Sequence, residues 1–314
     1  MSILTKPTHH MLVEIYVEVD DFCKENEEII QKWLKSSGLV KKDHTSSLTL
    51  SEVMTILIYY HFSNYKNFKS YYLEHVCTDL RRDFPELVSY GRFVELIPRA
   101  LLPMFMFLLH RCSKGRRTGI YYIDSSAWPV CHPKRAHCHK VMRGFCDWGK
   151  TSVGWFYGLK YHLIVNQFGE LINFHVTQGS TPDNRARLLF QLTRKLMGWV
   201  FGDKGYLLSA EKRAMLERDG ELRVFSKCRK NMAKQDMPLE ASLWVRKRGI
   251  VESAIDITKH GCDAVHTRHR SVTNAFVNLF SSLVAYSFIH RKPTTRINIE
   301  SRMIGKPTQL VKAA

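Results

Sequence analysis

The sequence predicts an α/β fold: a mixed sheet flanked by helices, preceded by a helical N-terminal domain. Two observations carry that prediction. Through about residue 110, apolar residues recur at helical spacing with no strand pattern. From Ile120 onward, short apolar runs and one long alternating stretch interleave with helical segments, a string that builds mixed sheets with helices on both faces. A third observation concerns acids. Asp124 and Asp203 each end a short apolar run, and Glu252 sits in a helical stretch with Arg248 and Lys259 on its face.

Residues 11–28 are acidic, with seven carboxylates against one Lys. Thr49-Leu50-Ser51-Glu52 has the form of a capping box, followed by Val53, Ile56, Leu57 and Tyr60 on one helical face. A helical stretch from Phe93 to Leu109 is interrupted by Pro98 and Pro103. Lys114-Gly115-Arg116-Arg117-Thr118-Gly119 then turns the chain into its second regime. Ile120–Asp124 is a predicted buried strand, and Gly154–Asn166 and Leu171–Gln178 form a hairpin around Gln167-Phe168-Gly169-Glu170. Pro182 and Asp183 open a helix carrying Ala186, Leu189, Phe190, Leu192 and Leu196. Trp199–Asp203 is the next strand, Ser209–Arg218 a helix, Leu222–Ser226 a strand, and Trp244–His260 a helix.

Strand, two-strand hairpin, helix, strand, helix, strand, helix matches the ribonuclease H-like fold, in which the first and fourth strands lie side by side. The expected domains are residues 1–112 (helical), 113–292 (the sheet with its flanking helices) and 293–314 (a basic tail). The two aspartates are 79 residues apart and Glu252 follows 49 later, room enough for the elements between them. One such acid is ordinarily a cap or a surface charge. Three that one fold brings together make a divalent-metal site, because hard cations take oxygen ligands. On a regular helix Arg248 and Glu252 differ by about 40° and Lys259 returns to within about 20° of Glu252, so both cations share the acid's face. A surface salt-bridge ladder has the same pattern.

The chain has 314 residues, 45% of them apolar, which suits a folded globular protein and excludes a disordered one. Its net charge of +18 calls for a polyanionic partner. Eight cysteines without a Cys-x-x-Cys spacing read as reduced intracellular thiols. No signal-peptide pattern opens the chain. The longest uncharged run, Ser271–Ile289, carries Asn274 and Asn278 and has helical apolar spacing, so a core helix is expected rather than a membrane span. Arg111–Lys150 holds nine Lys or Arg against two Asp, interleaved with Trp128, His132, His137, Phe145 and Trp148. Arg223–Arg248 holds eight against two. Such cations would neutralise phosphates while the aromatics stack on a splayed base; a solvated basic face is the plain alternative. Cys131, His132, His137, Cys138 and His139 lack the paired spacing of a zinc site. His132 to Arg135 forms a His-x-x-Arg, but no nucleophilic Tyr context accompanies it.

Several segments together resemble the DDE transposases of bacterial insertion sequences, specifically the insertion sequence 982 family. They are Tyr122-Ile123-Asp124-Ser125, Gly154-Trp155-Phe156-Tyr157-Gly158-Leu159-Lys160, Phe201-Gly202-Asp203-Lys204-Gly205-Tyr206, Arg246-Lys247-Arg248-Gly249-Ile250-Val251-Glu252 and His266-Thr267-Arg268-His269-Arg270-Ser271. The resemblance covers about residues 85 to 292. It implies catalytic and metal-binding roles for Asp124, Asp203 and Glu252, with Mg²⁺ as cofactor and Mn²⁺ as a substitute. It implies cleavage at element ends and transfer of the 3′-hydroxyl strand into target DNA. The partners implied are double-stranded DNA and further copies of the chain, in the cytoplasm and not at a membrane. Candidate DNA contacts are Arg248, Lys259, Lys204, Lys140, Arg143, Lys160, Arg246, Lys247, Arg268 and Arg270. Related transposases carry a Tyr, Arg, Glu, Lys signature here. The Arg-x3-Glu-x6-Lys spacing is present, but Val245 stands at the Tyr position, which removes an aromatic contact to the DNA end. A nuclease on the same fold that never joins strands, and an inactive DNA-binding remnant of a mobile element, are the alternative functions.

Overall fold

A computed structural model describes residues 8–40, 47–217, 221–226, 237–266 and 269–295. The N-terminal part is helical: α1 (His9–Glu25), α2 (Glu27–Ser36), α3 (Leu50–Tyr60), α4 (Phe68–Ser70), α5 (Tyr90–Leu96) and α6 (Leu101–Lys114). The capping box at α3 is formed: the Thr49 N–H donates to Glu52 at 2.7 Å and the Glu52 N–H donates to Thr49 Oγ1 at 3.2 Å. These bonds satisfy donors that a helix start leaves unpaired.

The strands are β1 (Ile120–Cys131), β2 (Asp147–Lys150), β3 (Trp155–Asn166), β4 (Leu171–Gln178), β5 (Gly198–Gly202) and β6 (Leu222–Ser226). Between and after them lie α7 (Ala186–Thr193), α8 (Ala210–Leu216), α9 (Leu239–Val245), α10 (Gly249–Asp256) and α11 (Val272–Phe288). They form one mixed sheet in the order β2-β3-β1-β5-β6, with β4 also on β3. β3 is antiparallel to β1, β2 and β4, while β1, β5 and β6 run parallel. The first predicted strand does lie beside the fourth, with Tyr122 opposite Phe201.

Each sheet face has its own core. Tyr121, Ile123, Ile164 and Val200 pack with Leu188, Leu189 and Leu192 of α7 on one face. Tyr122, Tyr161, Leu163 and Phe201 on the other face belong to a cluster that runs without a break through α1, α3, α6, α10 and α11. The N-terminal helices and the sheet therefore share apolar interior. α11 is the Ser271–Ile289 run, and its Leu279, Leu283, Val284 and Tyr286 are fully buried in that core. Among the described residues one helical run, Tyr90–Lys114, is long and apolar enough to cross a membrane by length and composition; Met104, Phe107 and Leu108 within it are buried against the protein.

Three local expectations change. β1 continues seven residues past Asp124, because β3 goes on pairing with it after β5 has ended. β2 is a strand the periodicity did not reveal; four residues are too few to show alternation. The single helix expected over Trp244–His260 is broken: α9 stops at Val245, α10 starts at Gly249, and Ile257–Gly261 is a wider turn closed by the Cys262 N–H bonding Ile257 O five residues back, at 2.8 Å. Gly158 keeps β3 tight against β1. A Cβ there would lie 2.1 Å from the Trp128 carbonyl oxygen, a clash only glycine avoids.

Candidate active site around Arg248

The last pairing of β1 with β5 is Tyr122 with Phe201. Beyond it β1 has an open edge, and the first side chain there on the face of Tyr122 is Asp124. Asp203 follows directly on β5. α10 packs across β1 and β3, burying Ile250, Val251 and Ala254 and presenting Glu252 on its other side. The three acids expected from the sequence thus come from three elements to one place.

What they surround is the Arg248 guanidinium. Its Nη2 lies 2.5 Å from Glu252 Oε1 and 3.7 Å from Asp203 Oδ1, and its Nη1 lies 3.5 Å from Asp124 Oδ2. The Arg248 side chain is 14% exposed, against 21% for Asp124, 47% for Asp203 and 54% for Glu252, so Asp124 is the deepest of the three acids. Burial pushes the Asp124 carboxyl up to about 6, and the charges of Asp203 and Glu252 add to the rise. The Ser125 N–H, which donates to Asp124 Oδ1 at 2.8 Å, and Arg248 oppose it. Three carboxylates therefore share one monovalent cation, and the most buried of them is under-compensated. That is the donor chemistry of a hard divalent ion, with the guanidinium standing in for its charge. Among the described residues no three His, Cys, Asp or Glu side chains form a ready-made metal cage, so Arg248 would have to withdraw for the acids to share an ion.

The opposite sheet face carries a polar cluster that the sequence did not announce. Lys160 Nζ donates to Asp183 Oδ1 at 2.7 Å, and Ser125 Oγ donates to Asp183 Oδ2 at 3.2 Å. His162, opposite Ser125 on β3, bonds Tyr206 OH at 3.3 Å and Thr177 Oγ1 at 3.0 Å, and burial lowers it to about 4. Lys160, taken from the sequence as a DNA contact, is 14% exposed and held by Asp183, so it steadies the residue after Asp124 instead of facing solvent. The sequence places Asp183 at the start of a helix, whereas α7 begins at Ala186 and Asp183 stays in the preceding loop, bonded to Ser125.

Of the other predicted DNA contacts, Lys140, Arg143, Lys204, Arg246, Lys247 and Arg270 are exposed. Lys259 sits in the wide turn, where the 100° repeat no longer holds, and no ion pair joins it to Glu252. Arg268, the middle of the basic run Arg223–Arg248 and the tail from residue 296 lie outside the described residues. Trp128 is fully buried, edge-on to Phe276 at 5.5 Å, and is no stacking platform. Val245 is a core residue.

A family model described as a transposase DDE domain matches residues 114–272, half of the chain, and takes in β1 through α10 with all three acids. No curated protein and no solved structure matches.

Proposed function

The chain belongs to the transposase DDE-domain family, and from that premise we propose that it cleaves DNA at the ends of an insertion sequence and joins the freed strand to target DNA. The observation that carries this reading is the convergence of Asp124, Asp203 and Glu252 on one guanidinium. The strand order and directions support a ribonuclease H-like sheet, and the motifs around the acids support the insertion sequence 982 branch.

Asp124, Asp203 and Glu252 would hold Mg²⁺, or Mn²⁺ in its place. The bound metal would polarise the scissile phosphate and raise the reactivity of the attacking oxygen. The chain's own residues provide the setting. The end of β5 and the open edge of β1 fix the two aspartates, the Ser125 N–H orients the Asp124 carboxylate, and α10 carries Glu252 on a rigid element. Arg248, once released from the acids, is placed to meet a DNA phosphate at the same cleft. In the proposed reaction water displaces the 3′ oxygen from a phosphodiester and leaves a 3′-hydroxyl. That hydroxyl then attacks a target phosphodiester, whose own 3′ oxygen departs, with no covalent protein–DNA intermediate. Exposed Lys140, Arg143, Lys204, Arg246, Lys247 and Arg270 would hold double-stranded DNA by phosphate contacts, and residues 1–112 would recognise the terminal repeats. A bacterial cytoplasmic setting and a homo-oligomeric synaptic complex complete the proposal.

Glu252→Gln tests it. The variant keeps size and one acceptor, and Glu252 is half exposed, so folding should be preserved. Expected is loss of Mg²⁺-dependent cleavage and strand transfer on labelled element ends by about 100-fold or more, with DNA affinity within about twofold of wild type. Full cleavage by the variant overturns the assignment. Cleavage by wild type without joining would leave a nuclease.

A further inference from the structure

β1, β2 and β3 run on past the end of β5 and form an arm, and one face of that arm carries exposed aromatic rings. In the β2–β3 hairpin Trp148 pairs with Tyr157 and Lys150 with Trp155 across the strands. Paired residues share a sheet face, so three aromatic rings and one cation line up together. Trp148 meets Tyr157 edge-on at 5.6 Å, and Lys150 Nζ lies 5.5 Å over the Trp155 ring. Tyr157 packs against the core and anchors the row, while the two tryptophans are exposed. Trp148 is 41% exposed, Trp155 61%, and the neighbouring Phe145 52%. Apolar burial favours covering such rings, so their exposure needs a partner. The surroundings name its charge. Between His132 and Lys160 the single acid is Asp147, while Lys134, Arg135, Lys140, Arg143 and Lys150 are all exposed.

Position relates this face to the acids. Leu163 is the cross-strand partner of Asp124, and Trp155 lies eight residues before it on β3. An even separation keeps Trp155 on the Asp124 face of the sheet, roughly 26 Å away along the strand at about 3.3 Å per residue. A ribbon four residue pairs long offers far less surface than the ~800 Å² per side of a stable protein interface. Flat rings beside cations instead match what unpaired bases require: a π face for the base and a positive charge for the backbone.

We propose that Trp148, Tyr157, Trp155 and Lys150 form a stacking platform for unpaired DNA bases, set roughly 20–26 Å along the strand from Asp124. The inference rests on the transposase reading and deepens it: the enzyme grips a melted or single-stranded stretch of the DNA whose phosphodiester lies at the acids.

The test uses the full chain and two fluorescein-labelled probes, a blunt duplex and the same duplex with a tail of about ten thymidines. Wild type is expected to bind the tailed probe more tightly, with quenching of tryptophan fluorescence. Trp148→Ala with Trp155→Ala should weaken tailed-probe binding at least about 10-fold and blunt-probe binding far less, since one stacked base contributes about 1–3 kcal/mol. Trp148→Phe with Trp155→Phe keeps the π faces and should retain most of the preference, which also guards against a folding artefact. Equal binding of both probes by wild type, or an unchanged preference in the double Ala variant, overturns the platform. So does a drop in particle mass by light scattering that tracks the affinity loss, which would mark a contact between copies. Because Glu252→Gln reads cleavage separately, the platform can fail while the transposase reading stands; wild type that binds neither probe sinks both.

Discussion

Asp124→Asn is expected to abolish Mg²⁺-dependent cleavage and, in the same molecule, to stabilise the metal-free protein at neutral pH. The two effects have one cause. Asp124 is the most buried of the three acids, and burial with two acidic neighbours pushes it up to about 6 from the usual carboxylate value. For an acid raised in the folded state, the fold binds more protons than the unfolded chain between about 4 and 6. Stability therefore falls as pH rises through that window, and the whole cost persists above it. A rise from the usual value to about 6 corresponds to about 3 kcal/mol, of which water at the partly exposed site screens a share. Asn removes the charge but retains an oxygen for the Ser125 N–H, now 2.8 Å from Asp124 Oδ1. Urea unfolding in EDTA should place the variant above wild type by about 1–2 kcal/mol at pH 7.5, with the gap closing toward pH 4. Activity should fall about 1,000-fold, since a carboxylate ligand is lost. A variant less stable than wild type at pH 7.5 would mean that Arg248 fully compensates Asp124.

Arg248→Met should act in the opposite sense. The guanidinium touches all three acids within 2.5–3.7 Å, so its removal leaves three carboxylates facing one another. Breaking a fully buried pair costs about 3–5 kcal/mol. Asp203 and Glu252 are about half exposed, so water screens much of the repulsion and about 1–2 kcal/mol is the expected loss in EDTA at pH 7.5. Millimolar Mg²⁺ should then raise the melting temperature of the variant more than that of wild type, because the ion no longer competes with the guanidinium. DNA-end affinity should drop as well, with a shallower salt dependence. An equal Mg²⁺ response in the two proteins would show that Arg248 and the ion do not share a place.

Much of this centre could be read from the sequence, and the failures have physical reasons. The two aspartates were legible because each closes an apolar run, and apolar runs of that length are buried strands. The Arg248–Glu252 pairing was legible because i and i+4 share a face of any regular helix. For Lys259 the same reasoning reaches its limit, since the α-helical repeat ends at Asp256 and Lys259 lies in the wide turn at Ile257–Gly261. Trp128 and Trp148 looked alike as aromatics in a basic segment. Tertiary packing separates them: both lie on the same sheet face, but Trp128 is buried under α11 and Trp148 is exposed on a strand too short to leave a period. The Lys160–Asp183–Ser125 bridge joins a strand, a loop and another strand, a juxtaposition that no local pattern records.

The central claim is that Asp124, Asp203 and Glu252 form one cation-dependent centre whose charge Arg248 supplies when no metal is bound. Crystals grown with Mn²⁺ test it most directly, through the anomalous signal of the ion. Expected is an anomalous peak at the carboxylates of Asp124 and Asp203 beside Glu252, with the Arg248 guanidinium moved off them. A map in which Mn²⁺ is absent from the cleft, or binds elsewhere while the three acids still ring Arg248, would contradict it.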